Sequence, residues 1–378
     1  MPYLAELDTP AAIVDVARMR ANIQRMQTRM DTLGAHFRPH VKTTKCLPVV
    51  RAQLAAGARG ITVSTLKEAE RFFAAGVTDI LYAVGMTPAR LPKVLALRRQ
   101  GCRLKIVADD PAVADAIAAF GKARDEAFEV WIEIDCDGHR SGIRPDEKER
   151  LIDVAQRLAG GGMRVGGVMT HAGSSYELDT PEALAALAEQ ERAGCARAAG
   201  HLRDAGMPCP AVSVGSTPTA LAARGLEGVT EVRAGVYVFF DLVMHNVGVC
   251  RIDDIALSVL TTVIGHQSAK GWAIVDAGWM AMSRDRGTAR QKRDFGYGQA
   301  CAPDGAVLPG YVMIGANQEH GIVASVNGTD ERIAERFPIG SQLRILPNHA
   351  CATGAQFPEY HALHADGSTE VWQRFHGW

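Results

Sequence analysis

The sequence predicts an α/β protein: a (β/α)8 barrel of the TIM type followed by an antiparallel β domain. Three observations carry this prediction. Eight short apolar or alternating runs are separated by segments of helical composition over roughly the first 250 residues, the strand count and span of such a barrel. Beyond that point strand-like runs continue, but Gly, Asp and Pro turns replace the helical segments. The 378 residues, 47% of them hydrophobic, suffice for one large domain and a smaller one.

Taken in order, the barrel strands are expected at 35–41 (AHFRPHV), 60–65 (GITVST), 79–84 (DILYAV) and 103–109 (RLKIVAD). They continue at 128–135 (FEVWIEID), 164–170 (RVGGVMT), 211–216 (AVSVGS) and 231–238 (EVRAGVYV). Segments such as TLKEAERFFAAG and PEALAALAEQERAGCARAAGHLRDAG read as the helices between them. A doubly wound sheet is the alternative, though it usually has fewer strands and no eight-fold closure. In the second domain ALSVLTTVIGH, WAIVDAG, YVMIGAN, GIVASV and SQLRILPNH read as strands with no helix expected between them. AAIVDV at 11–16 is a ninth run, left over from the barrel and a candidate partner for the second domain. The expected division is 1–248 for the barrel and 249–378 for the β domain.

Composition narrows the class. A net charge of −1 with both signs mixed argues against nucleic acid or an anionic membrane as the main partner. No apolar run approaches the roughly 20 residues of a membrane span. The start, MPYLAELDTPAAIVDV, shows no basic region leading into an apolar stretch. Eight cysteines lie between Cys46 and Cys351 without a CxxC pair and read as reduced thiols. A cytoplasmic protein is expected.

Barrel enzymes carry their chemistry at the C-terminal ends of the strands, often with a phosphate held after strands seven and eight. The seventh run ends in Gly215-Ser216-Thr217 and the eighth carries Gly235-Val236-Tyr237. Glycine lets the backbone approach a phosphate, and hydroxyls at a helix start add donors. Two ordinary Gly-containing turns are the competing reading. The first run ends in RPHVKTTK, with Arg38, His40, Lys42 and Lys45 crowded into eight residues. Such crowding disfavours protonation of a lysine, and a neutral amine is what a Schiff-base nucleophile requires. A solvated basic loop is the alternative. Lys beside phosphate loops points to pyridoxal phosphate. After the fifth and sixth runs come Arg140, His171 and Tyr176. An Arg can hold a phenolic oxygen and an imidazole can stack on a pyridine ring, although each taken singly is more often a structural hydrogen-bonding residue. In the second domain His349 and Cys351 are expected on one face of a strand, where imidazole and thiolate suit a divalent metal. On these two residues alone, a buried Cys beside a satisfied His is the commoner reading.

The assembled segments DTPA (8–11), RPHVKT (38–43), DGHRSG (137–142), THAGSSY (170–176), GSTPTA (215–220), RAGVYVFFD (233–241), DAGW (276–279), NQEHG (317–321) and PNHACAT (347–353) resemble one family. It is that of the fold-type III pyridoxal-phosphate enzymes related to alanine racemase. The likeness is to the branch of D-serine dehydratase, D-threonine aldolase and threo-3-hydroxy-D-aspartate dehydratase, and nearest to the last. The resemblance implies Lys42 as the cofactor-bearing lysine, with Arg140 and His171 framing the ring. It implies phosphate contacts at Gly215, Ser216, Thr217, Gly235 and Val236, with Tyr237 nearby. It also implies a metal (Zn, Mn, Co or Mg) on His349 and Cys351, and a homodimer. Aldolases of the branch usually carry Asp where Cys351 stands, and D-serine dehydratases often read KTHK where this chain reads KTTK (42–45). The expected reaction is therefore dehydration of threo-3-hydroxy-D-aspartate to oxaloacetate and ammonia. Retro-aldol cleavage, D-serine dehydration, racemisation, non-catalytic carriage of the cofactor and barrel chemistry on phosphorylated sugars are the alternatives. The basic loop 283–293, with Arg284 and Arg286, is a candidate for a second substrate carboxylate or a solvated surface loop.

Overall fold

The computed structural model describes residues 2–378. Its contacts separate two units, one running from Gln24 to Gly235, the other joining the segment up to Ile23 with Val236–His376.

In the first unit eight parallel strands form one sheet. They are β2 (His36–Phe37), β3 (Ile61–Val63), β4 (Asp79–Gly85), β5 (Arg103–Ala108), β6 (Glu129–Ile134), β7 (Arg164–Thr170), β8 (Ala211–Val214) and β9 (Glu231–Val232), following β1 (Ala11–Asp15) of the other unit in chain order. Their order is β2-β9-β8-β7-β6-β5-β4-β3, and a parallel bridge between His40 and Thr62 joins the two ends into a ring. Leu81, Val107, Trp131 and Met169, one from each of β4 to β7, pack as a buried cluster. Helices start where sequence supplies caps. Thr65 accepts from Glu68 N ahead of Leu66–Ala74, and Thr180 accepts from Ala183 N ahead of Pro181–Asp204.

The eighth barrel strand is shorter than expected. β9 stops at Val232, and Val236–Val238 forms a single 3-10 turn. The carbonyl of Val236 is taken by the N–H groups of Phe239 and Phe240 at 3.1 and 2.7 Å, leaving nothing for a ladder. From Val236 the chain belongs to the second unit, against the 248/249 division read from sequence. Asp241 shows why: it caps the helix Leu242–Val247 by accepting from Met244 N at 2.9 Å, and its other oxygen accepts from Ala350 N at 2.9 Å.

The second unit is built on β1, β10 (Leu257–Gln267), β11 (Trp272–Val275), β12 (Gly298–Cys301), β13 (Val307–Ala316), β14 (Gly321–Ser325), β15 (Gln342–Pro347), β16 (Glu359–Leu363) and β17 (Thr369–Gln373). The order is β11-β14-β13-β12-β15-β10-β1-β16-β17, and β11 also pairs with β10. β1 runs antiparallel to β10 and parallel to β16. Ala11, Ile13, Leu260 and Leu363 bury its face together with Leu4. Short helices occur where none was expected, at Trp279–Met282, Ile333–Arg336 and Ala350–Gly354. Each is too short to register as a 3.6-residue period. Among the described residues no helix is long and apolar enough to cross a membrane.

Candidate active site

The four basic side chains at the end of β2 do not form one cationic cluster. Arg38 turns into the barrel, pairing with Glu231 at 2.9 Å and Asp79 at 2.8 Å. Lys45 pairs with Glu68 at 3.1 Å. Lys42 stands on the turn Val41–Thr43, exposed, with no acidic partner among the described residues. Its N–H donates to His40 Nδ1 at 3.5 Å. Burial, together with the charges of Lys42, Arg233, His171 and Arg140, holds the His40 imidazole well below its usual range.

His171 follows β7 directly and Gly215 follows β8. The His171 Nδ1–H donates to the Gly215 carbonyl at 3.0 Å, so the proton of the neutral ring sits on Nδ1 and Nε2 is left as an acceptor. Burial pulls the His171 pKa down to about 4, with the charges of Arg140, Lys42 and Arg233 acting in the same direction. Lys42, Arg140 and His171 therefore occupy one neighbourhood. Tyr176 lies in the turn Gly173–Glu177, its ring centroid 6.3 Å from that of His171. Arg140 is mostly exposed and approaches Glu133 at 3.6 Å. Burial raises the Glu133 pKa, opposed by Arg140.

Gly215 has φ +126°, and a Cβ there would lie 2.2 Å from the Arg233 carbonyl. At Gly235 a Cβ would crowd the His40 carbonyl at 3.0 Å and Thr43 Oγ1 at 3.2 Å. Ser216 caps the helix Thr217–Ala222 in a reciprocal box with Thr219, and its Oγ lies 2.8 Å from Ser175 Oγ. Val236 and Tyr237 are buried and belong to the second unit. The glycine-opened backbone, the hydroxyls and a neutral imidazole fit a phosphorylated pyridine ring.

In the second unit His349 and Cys351 do not share a strand face. β15 ends at Pro347, His349 is the N-cap of Ala350–Gly354, and Cys351 lies in that helix. The two side chains still meet, because the turn brings the thiol to the imidazole. The His349 Nδ1–H donates to Asp285 Oδ2 at 2.6 Å. Burial opposes protonation of His349, but the Asp285 hydrogen bond and Cys351 outweigh it, so this ring holds a positive charge readily. Seven of the eight cysteines are buried, and Cys351 is the one with partial access. Burial pushes the thiols of Cys102, Cys136, Cys195, Cys209 and Cys301 up, away from ligand chemistry. An imidazole oriented by a carboxylate, beside an accessible thiol, fits a divalent cation that takes further ligands from substrate. Among the described residues no set of three His, Cys, Asp or Glu is grouped for a metal.

Asp285 was missed because it sits inside a run that reads as basic. Arg286 in that run pairs with Asp294 at 2.8 Å, whereas Arg284 lies over the Trp279 ring at 5.1 Å without a carboxylate partner among the described residues. Asn348, 2% exposed, fastens the loop: its Nδ2 donates to Gly296 O at 2.7 Å and its Oδ1 accepts from Thr288 Oγ1 at 3.0 Å. No local pattern marks these partners, which lie far apart in sequence.

The alanine racemase N-terminal domain model matches residues 14–243, and a putative serine dehydratase domain model matches 256–363. The D-threo-3-hydroxyaspartate dehydratase of Delftia sp. is 70% identical over 376 residues, covering 99% of both chains. Its solved structure superposes with a TM-score of 0.99, covering 99% of each chain. That enzyme is also solved as a histidine-to-alanine mutant and as a cysteine-to-alanine mutant in the metal-free form. The D-serine dehydratase of Dictyostelium discoideum is 30% identical, over 95% of this chain and 94% of that one. The D-threonine aldolase of Arthrobacter sp. is 29% identical, over 93% and 87%. With one model matching over half of the chain and a whole-length relative at 70% identity, the chain belongs to the alanine racemase-like family of pyridoxal-phosphate enzymes, in its D-serine dehydratase branch.

Proposed function

We propose that the chain is a lyase that uses pyridoxal phosphate and a divalent metal to dehydrate threo-3-hydroxy-D-aspartate, yielding oxaloacetate and ammonia. The observation that carries the reading is the pair His349 and Cys351, with Asp285 behind the imidazole. The mutated His and Cys of the Delftia enzyme are likewise two positions apart. When bound, pyridoxal phosphate stabilises negative charge at Cα and the metal acts as a Lewis acid toward the 3-hydroxyl.

The chain's own residues do the rest. Lys42 would hold the cofactor, and its Nζ would take the Cα proton of the substrate. His171, a neutral acceptor at Nε2, would face the ring, with Arg140 and Tyr176 nearby. Gly215, Ser216, Thr217, Gly235, Val236 and Tyr237 would form the phosphate pocket. His349 and Cys351 would hold the cation. Arg284, stacked on Trp279, is the candidate for the distal carboxylate. Loss of water across Cα–Cβ releases an enamine, which hydrolyses to the 2-oxo acid and ammonia.

The test is product analysis with each stereoisomer of 3-hydroxyaspartate, serine and threonine. Ammonia and oxaloacetate from the D-threo isomer are expected. Glycine and glyoxylate as main products would make the enzyme an aldolase, and preference for an L isomer would defeat the reading. The proposal includes a homodimer acting in the cytoplasm, and light scattering on purified protein tests the oligomeric state.

A further inference from the structure

Glu191 lies on the buried face of the helix Pro181–Asp204, among Leu184, Leu187, Ala188 and Cys195. It is 2% exposed and has no salt-bridge partner among the described residues. A carboxylate with no ion pair, helped only by a Thr219 hydrogen bond and the charge of buried Arg233, is an expensive occupant of such a face, where an apolar residue would pack without penalty. Its contacts show what it holds. One oxygen, Oε1, accepts the N–H of Ala172 at 2.9 Å and the N–H of Gly215 at 3.0 Å. Ala172 is the residue after His171, and the Gly215 carbonyl is the acceptor of the His171 Nδ1–H. The same oxygen thus restrains His171 along two routes, through its own chain and through Gly215. The next residue back extends the pattern: Gln190 Nε2 donates to Cys136 O at 2.8 Å. Two consecutive side chains of one helix therefore tie down the loops after β6, β7 and β8.

We infer that Glu191 is a positioning residue for the cofactor, acting by clasping the Ala172 and Gly215 amides and so fixing the His171 ring and the 215–217 loop. The inference rests on the assignment of that ring and loop to pyridoxal phosphate made above. It also redefines Gly215, whose N–H is already committed to Glu191. At this position glycine makes room for the Arg233 carbonyl, and its positive φ turns the loop, rather than supplying a donor.

The experiment uses the full-length holoenzyme and its Glu191→Gln and Glu191→Met variants. Each is stripped of cofactor and titrated with pyridoxal 5′-phosphate by absorbance, and visible circular dichroism reads the orientation of the bound ring. The amide oxygen of Glu191→Gln still accepts both N–H groups, so its Kd should stay within about threefold of the parent with the same dichroic band. Glu191→Met keeps the volume but removes the acceptor. Its Kd should rise on the order of ten- to hundred-fold and its dichroic band should change. If Glu191→Met lacks a cooperative unfolding transition, Glu191→Asp replaces it. That variant keeps the charge but is one methylene too short to reach both amides, and its Kd should rise comparably. Parental binding in Glu191→Met, or in Glu191→Asp where that variant stands in, would overturn the clasp, as would a Glu191→Gln protein that loses as much as Glu191→Met. A parent protein that binds no pyridoxal phosphate would instead refute the cofactor assignment, leaving the two failures distinguishable.

Discussion

Removing the Asp285 carboxylate should weaken metal binding about tenfold while leaving pyridoxal phosphate binding unchanged. The carboxylate accepts the His349 Nδ1–H at 2.6 Å, which leaves Nε2 as the ring nitrogen available to a cation. A hydrogen bond to a charged group contributes roughly 1.5–3 kcal/mol. The two side chains are 41% and 38% exposed, so solvent screening places this one at the lower end, about 1.5 kcal/mol or tenfold in affinity. Asp285→Asn retains an acceptor oxygen without the charge and should lose about threefold. The loop itself should stay in place, because Asn348 Nδ2 holds its backbone through Gly296 O and through Asp285 O at 3.3 Å. The assay is zinc titration in competition with a chromophoric chelator, with cofactor absorbance followed in parallel. Unchanged zinc affinity in Asp285→Ala would refute the reasoning, and so would an equal loss of both ligands.

Lys42→Ala should abolish turnover without unfolding the protein. In the parent, borohydride reduction followed by peptide mapping should leave the cofactor on Lys42, and finding it on Lys45 or Lys67 would contradict the assignment. His171 should make stability fall on acidification. Its folded pKa of about 4 lies below the ordinary 6.5, so the unfolded chain takes up the extra proton between those values, and stability present above pH 6.5 is lost toward pH 4. Urea unfolding at pH 7 and pH 5 should show a loss of about 2 kcal/mol that His171→Asn removes. Gly215→Ala should cost about 3 kcal/mol, from a Cβ 2.2 Å from the Arg233 carbonyl at φ +126°. Gly34→Ala, at φ +73° with open space around it, should cost only about 1 kcal/mol, and equal losses in urea unfolding would mean that the clash is relieved.

Much of the barrel was legible because burial on both faces of a parallel strand leaves short apolar runs, and β4 to β7 match the runs at 79–84, 103–109, 128–135 and 164–170 to within one residue at each end. The places that misled share one cause. EVRAGVYV has a strand-like composition, but hydrogen bonds to the Val236 carbonyl turn the chain after β9. PNHACAT reads as the end of a strand, yet His349 begins a helix too short to show a period. RPHVKTTK reads as concentrated positive charge, yet Arg38 is neutralised by Glu231, 193 positions away, and by Asp79, 41 positions away. Local pattern shows which residues are present and is silent on partners brought in by the fold.

That silence falls on one kind of residue in particular. Lys42, His171, His349 and Cys351 stand out in sequence because Lys, His and Cys are chemically distinctive wherever they occur. Glu191 in EQERAG and Asp285 in SRDRG look like ordinary surface charges. In the structure each restrains a candidate ligand-facing imidazole, and the two units repeat one construction. His171 is followed by Ala172, whose N–H donates to Glu191; His349 is followed by Ala350, whose N–H donates to buried Asp241. The His171 Nδ1–H is in turn held by a carbonyl and the His349 Nδ1–H by a carboxylate. Each ring therefore has its backbone pinned by an acid and its Nδ1 proton committed, so that only Nε2 remains for a ligand. The neutral acceptor at Nδ1 suits the ring meant to stay uncharged against a pyridine, and the anionic one suits the ring meant to support a cation. On this argument, substitutions at Glu191, Asp241 and Asp285 should appear first as losses of cofactor or metal affinity, whereas those at Lys42 should appear in turnover.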